Sequence, residues 1–266
     1  MTRRVWLLTA IAVAALRGQS DCTPHAPCYS EAAVVNAASF VRAAIAPNTL
    51  VAIFGSNLSY STRALTSEDV RGGRLPVQLG GVTVHVGPEP APVYYVSPGQ
   101  INVLIPGDLR YGSYDVRVVR DGWAGPAAQI TLFDAAPALF LVDEQTVVAT
   151  WTNFSLISKD SPARPGQEII LWATGLGRTI PSPAAYDEIP LQAAWIERLS
   201  ELRVLLDGVA VESSRILYAG VTPTTGGLYQ INLKLPEILE NNPEVRIAIG
   251  DTISPTGVRL PVRAEN

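Results

Sequence analysis

The chain has 266 residues, 47% of them hydrophobic and 17% charged. That is enough apolar material for one large or two ordinary globular domains, and it excludes a disordered chain. The formal charge is −4 and the Lys and Arg residues are scattered without a run, so no basic field attracts phosphates and nucleic acid is excluded as a partner.

The chain opens MTRRVWLLTAIAVAALRGQSD. Arg3 and Arg4 form a positive n-region and Val5 to Leu16 an apolar h-region, so residues 1–20 read as a signal peptide cleaved after Ser20. The apolar stretch is too short to cross a bilayer of roughly 30 Å as a helix, which takes about 20 residues. No second run of spanning length follows, so no membrane span is expected after cleavage. Asp21 directly before Cys22 speaks against a lipid-attachment signal. The expected destination is secreted, periplasmic or cell-surface.

Residues 21–32 form a cysteine-bearing segment with both cysteines of the chain, Cys22 and Cys28, in DCTPHAPCYS. An even count so closely spaced in an exported chain predicts a local disulfide. His25 lies between them, but two thiols and one imidazole are one ligand short of a closed zinc site. His85, the other histidine, sits in the alternating run VTVHV, where it reads as a solvent-facing strand residue. No metal and no cofactor are expected.

Residues 33–134 and 135–266 then read as two modules, each a series of short Val-, Ile-, Leu- and Tyr-rich runs separated by Gly, Pro, Asn and Asp. This is the pattern of an all-β, immunoglobulin-like sandwich of short antiparallel strands. In the first module, SYDVRVVRDGWAGPAAQITL predicts a hairpin turning at Asp121-Gly122, with Val116 and Val118 toward the core and Asp115 and Arg117 toward water. In the second, Asp207-Gly208 joins LRVLL to VAVES. LQAAWIERLSELRVLL carries competing periods: Trp195, Leu199, Leu202 and Leu206 at helical spacing, and Leu202, Val204 and Leu206 at strand spacing. A short helical turn at 193–198 leading into a strand is the expectation.

The two modules repeat one another. GQINVLIP is answered by YQINLKLP, aligning Gln100 with Gln230 and Asn102 with Asn232. APNTLVAIFGSNL parallels RPGQEIILWATGL, and GGVTVHVGPEPAPVYYV parallels LRVLLDGVAVESSRILYA, with Tyr95 opposite Tyr218. Three blocks in the same order make tandem modules. Pro106 and Pro236 stop their strands, since proline cannot donate to a central ladder. Gln100 and Asn102 point outward or to the rim. Their amides have two readings: turn caps that hold the fold, or a ligand site that occurs twice.

Together and in order, VVNAASF, APNTLVAIFGSNL, LPVQLGGVTVHV, VYYVSPGQINVLIP, ARPGQEIILWATGLG and YAGVTPTTGGLYQINLKLP resemble the uncharacterised C-terminal domain family of secreted Solibacter-type acidobacterial proteins. The resemblance runs from about Ala33 almost to the C-terminus. It implies tandem modules of the IPT/TIG-like, immunoglobulin-like type, and brings no established activity with it. In that family the domain commonly follows a long N-terminal region, whereas only a leader and the cysteine segment precede it here.

The sequence is poor in catalytic signals. G-x-S-x-G, GxxxxGK[ST] and H-E-x-x-H are absent. GLG at Gly175 to Gly177 lacks the third glycine and the following helix of a dinucleotide site. The pairs Glu68-Asp69 and Asp187-Glu188 read as solvated loop charges, although a carboxylate-only glycosidase would leave no other trace. Asn57 and Asn153 sit in glycosylation sequons. Among the aromatics, Trp172 parallels Phe54 and is expected in the core. Trp123 and Trp151 are the possible ligand or partner contacts, set against simple packing. The reading is a non-catalytic secreted or cell-envelope binding or assembly module, working through loops or an exposed strand edge on an extracellular or envelope protein or a glycan. Its alternatives are a carbohydrate-binding module using Trp123 or Trp151, and a hydrolase with an unrecognised carboxylate site.

Overall fold

The computed structural model describes residues 22–42 and 44–264; the signal peptide expected at 1–20 lies outside them. Apart from three single-turn 3-10 helices, the regular structure among the described residues is all strand. It forms two tandem immunoglobulin-like β-sandwiches.

In the N-terminal sandwich one sheet runs, neighbour to neighbour, Val34–Asn36, Leu50–Phe54, Gln100–Leu104, Val93–Val96 and Arg63–Ala64. The facing sheet is built on the long strand Gly112–Arg120, which pairs with Trp123–Ala124, Ala128–Leu132 and Val82–Val86. Side chains alternate across each pleat, so Val51, Ile53, Ile101 and Val103 meet Val82, Val84, Val86, Val116 and Val118 in one buried core. The C-terminal sandwich repeats this scheme. Its larger sheet runs Ala138–Leu139, Glu168–Thr174, Tyr229–Lys234, Ile216–Val221, Ala194–Ile196 and Thr179–Ile180, with Ala149–Thr150 also on Glu168–Thr174. Ile169, Leu171, Ile231 and Leu233 from this sheet pack on Val204, Leu206, Val245 and Ile247 from the smaller one.

Both predicted Asp-Gly turns are present. Asp121 and Gly122 have φ of 46° and 84°, and Asp207 and Gly208 have 47° and 80°, the two positive angles that a tight right-twisted hairpin needs. The helical turn expected at 193–198 is displaced: Ala194–Ile196 is a strand, and the 3-10 turn is Leu199–Glu201. The strand wins because Ala194 and Ile196 alternate into the core around an outward Trp195, a burial that one helical turn would forfeit.

The strand registers confirm the repeat. Gln100 lies opposite Phe54 and Asn102 opposite Ala52 and Tyr95; Gln230 lies opposite Trp172 and Asn232 opposite Ile170 and Tyr218.

Polar bonds and close packing join the sandwiches. The Leu50 N–H donates to Thr174 Oγ1 (2.9 Å), whose hydroxyl donates to the Gly227 carbonyl (2.8 Å). Tyr94 donates to the Gly226 carbonyl (2.9 Å) and Arg178 to that of Leu109 (2.7 Å). Gly227 sits at φ 73°, where an added Cβ would stand 2.3 Å from Leu104 Cδ1, so this close approach requires glycine. Asp187, expected as a solvated charge, is instead buried and grips Arg74 with both oxygens, Nε at 3.0 Å from each and Nη2 at 2.6 Å from Oδ1.

Candidate ligand-binding face

The repeated amides bond to each other. Gln100 Nε2 donates to Asn102 Oδ1 at 2.8 Å, and Gln230 Nε2 to Asn232 Oδ1 at 3.2 Å. Residues two apart on a strand share a face, and here that face points away from the core. Each bond leaves one amide oxygen and one amide NH2 uncommitted on the surface.

Aromatic rings flank both amide pairs. On the larger C-terminal sheet, Trp195, Gly220, Gln230 and Trp172 stand in register across four adjacent strands. With strands about 4.8 Å apart, the two indoles are separated by roughly 14 Å across the sheet. Gly220 has no side chain, and the Tyr218 ring occupies its place: a Cβ there would meet Tyr218 Oη at 2.4 Å. The Tyr218 hydroxyl reaches the Val221 and Ala194 carbonyls at 2.8 and 3.1 Å, and its ring stands edge-on to Trp195 at 4.8 Å between centroids. Burial raises the Tyr218 phenol above its ordinary value, so it stays protonated and neutral. Trp172 is half-buried on this outer face rather than in the core, and its Nε1 donates to Thr150 Oγ1 (3.1 Å). Phe154 packs over Trp172 at 6.2 Å. Trp195 is 40% exposed and Phe154 64%.

The N-terminal sandwich carries a shorter version of the same face: Phe54, Gln100, Asn102 and Tyr95, with Phe40 packed on Phe54 at 6.2 Å. Phe40 and Phe154 share a further property. Both are bulky, exposed residues in the left-handed region, at φ 54° and 66°, which costs roughly 1–2 kcal/mol for a residue with a Cβ. In both modules a strained, exposed phenylalanine thus packs on the aromatic residue of the strand beside the amide couple.

The residues singled out from sequence lie elsewhere. Trp123 is 51% exposed on the N-terminal hairpin, with its ring 6.0 Å from that of His25. His25 belongs to the loop closed by the Cys22–Cys28 disulfide. The buried Arg120 guanidinium ties this loop down, donating to the carbonyls of His25 and Asn57 and lying 3.8 Å over the Tyr60 ring. Trp151 is partly buried against the C-terminal core. The two tryptophans sit in different sandwiches and make no common site.

The edges of the larger C-terminal sheet are blunt. The larger C-terminal sheet ends at Thr179–Ile180 on one side, just before Pro181, and at the two-residue strands Ala138–Leu139 and Ala149–Thr150 on the other. Such edges give an incoming strand almost no ladder to join. This sheet thus offers its outer face rather than an edge, where the sequence pointed to loops or an exposed strand edge.

Each carboxylate considered for catalysis has a structural use or stands alone. Asp187 holds Arg74. Glu188 accepts the Ala184 N–H at 2.7 Å. Asp69 accepts the Thr66 N–H and hydroxyl, both at 2.9 Å, and pairs with Arg63; the bond from the Thr66 N–H, chiefly, holds its carboxyl below the usual range. Glu68 is exposed. Among the described residues no group of three or more His, Cys, Asp and Glu is placed to hold a metal, and no helix is long and apolar enough to cross a membrane.

Neither a family model nor a curated protein matches the chain. Solved structures do. A surface glycan-binding protein of Bacteroides ovatus, solved with a mixed-linkage heptasaccharide, is 13% identical at a TM-score of 0.32, covering 84% of this chain and 43% of its own. One from Prevotella bryantii is 10% identical at 0.26, with 84% and 40% covered. Domains 5–6 of the S-layer protein SbsC are 9% identical at 0.27, with 90% and 100% covered. The chain thus spans less than half the length of these two glycan-binding proteins. Likeness at this level carries no function, and the site rests on its own geometry.

Proposed function

We propose that the protein is an exported, non-catalytic binding module of the cell envelope or extracellular space, and that its contact surface is the outer face of the larger C-terminal sheet. The observation that carries this reading is the repeated pairing of exposed aromatic rings with an amide couple on an otherwise ordinary sandwich. Aromatic surface of this kind supplies contact area at low entropic loss. Export is supported by the leader and by the disulfide, which suits an oxidising compartment; the resemblance to secreted acidobacterial domains points the same way. The absence of a positioned acid, base or nucleophile on the face supports binding over catalysis.

The test compares the mature chain with Trp195→Ala and Phe154→Ala in binding to immobilised envelope and secreted fractions. Both side chains are partly exposed and outside the cores, so the variants fold and melt within a few degrees of the wild type, each giving up one ring contact of about 0.5–1.5 kcal/mol. Binding that falls in both variants is the expected result. Binding unchanged in both, or a substrate turnover abolished by an Asp69 or Asp187 substitution, overturns the proposal.

A further inference from the structure

We infer that the ligand of this face is a neutral polysaccharide, laid across the strands from Trp195 to Phe154; the inference rests on the binding reading above and gives its ligand a chemical class.

Three features of the strip select for sugar. First, its accessible order is ring, amide, ring: Trp195 on one side of Gln230 and Trp172 with Phe154 on the other, the buried Tyr218 ring bracing Trp195 from within. A pyranose presents an apolar C–H face that stacks on an aromatic ring, and hydroxyls around its rim that both donate and accept. The Gln230–Asn232 couple keeps one oxygen acceptor and one NH2 donor free beside the rings, matching a hydroxyl pair in both directions. Second, the strip is uncharged. The charges nearest to it are one exposed carboxylate, Glu197, two residues along from Trp195 on the same face, and Glu168 and Lys234, which are opposite one another beyond the Ile170–Asn232 row, so the face offers no positive stripe to a polyanion and no run of charge to an acidic or basic peptide. Third, the row crosses the strands and the sheet edges are too short for β-addition. A peptide strand would lack its main-chain partners, whereas a polymer of repeating rings uses the roughly 14 Å between the indoles.

Packing explains how the platform holds its shape. Tyr218 is pinned over Gly220 by its hydroxyl, Trp195 leans on Tyr218, and Trp172 is fixed through its Nε1 bond to Thr150. A platform that is rigid before the ligand arrives loses little entropy on binding. The N-terminal face lacks an equivalent of Trp195, its sheet ending instead in Arg63–Ala64, so it contributes less.

The experiment is affinity electrophoresis of the mature chain in gels containing hydroxyethyl cellulose, laminarin, a galactomannan or alginate, followed by titration calorimetry on any that retard it. Retardation by at least one of the three neutral polymers is expected, weakened about tenfold by Trp195→Ala and similarly by Phe154→Ala, the effect of one lost ring stack. Phe40→Ala is the control and shifts affinity less than either. Retardation by alginate alone, by none of the four, or undiminished in both C-terminal variants overturns the inference. A second arm separates it from the broader reading. If the mature chain binds envelope material equally before and after periodate oxidation of its sugars, and Trp195→Ala abolishes that binding, the glycan inference fails while the binding module stands. If neither variant changes any binding, both fail.

Discussion

Replacing Gly220 by alanine puts a methyl group 2.1 Å from the Ala194 carbonyl oxygen, 2.4 Å from Tyr218 Oη and 2.7 Å from Tyr218 Cζ. None of these is a tolerable carbon contact. The Ala194 oxygen is backbone, and its strand is anchored by Ala194 and Ile196, both 2% exposed in the core, so it yields little. Tyr218 must swing outward, giving up a hydrogen bond worth about 0.5–1.5 kcal/mol and an edge-on contact with Trp195 worth a similar amount. Residual overpacking of the strand adds about 1–3 kcal/mol. A loss of about 2–6 kcal/mol follows, and at about 2–4 °C per kcal/mol for a chain of this size the melting temperature falls by about 4–24 °C. Scanning calorimetry measures the fall, and near-ultraviolet circular dichroism reports the disturbed Trp195–Tyr218 pair. Polysaccharide retardation drops as well, although every aromatic residue of the strip is still present. A Gly220→Ala protein melting within 2 °C of the wild type, with binding unchanged, would refute the claim that Tyr218 is positioned by the missing side chain.

Three other outcomes are expected. Protein purified without reductant titrates no free thiols, and converting Cys22 and Cys28 together to serine lowers stability by about 2 kcal/mol, the entropy of a loop closed over a separation of six residues. Asp187→Ala loses about 1 kcal/mol, because Arg74 stays half in water, and lowers the calorimetric melting temperature by about 2–4 °C. Burial pushes the Tyr29 and Tyr94 phenols up from 10.0 to about 12. Both forms of the chain keep these phenols protonated below pH 10; above it the unfolded chain releases protons that the folded chain retains, so stability falls between about pH 10 and 12, by up to about 1.4 kcal/mol per pH unit for each tyrosine. Urea titrations at pH 8 to 11.5 measure this slope, and Tyr29→Phe or Tyr94→Phe should flatten it.

How far the sequence reaches is clearest in the strand that holds Trp172. EIILWAT is apolar at nearly every position, so its alternation is silent about which residues face inward. Ile169, Leu171 and Ala173 go to the core, and Ile170 and Trp172 to the outer face. The aligned octets do better: Gln230 and Asn232 interrupt an apolar run, and their polarity declares the outer face of their own strand. Because paired residues share a face, Gln230 carries Trp172 outward with it, but that the two are partners is visible only in the folded sheet. Trp195 was obscured for another reason, since its helical spacing to Leu199 and Leu202 competed with a strand only three residues long. Nothing local signals the left-handed Phe40 and Phe154, as phenylalanine is not a residue that favours positive φ. The junction is equally silent, because Leu50, Thr174 and Gly227 meet only once both sandwiches are folded. What the repeat does show is where it breaks. Both sheets carry the same amide couple between a strand aromatic and a tyrosine, and they differ at the next strand outward, Arg63–Ala64 in one and the Trp195-bearing Ala194–Ile196 in the other. A duplicated frame holds its fold with the positions it keeps, so this outermost strand is where the two outer faces differ in the aromatic surface they present.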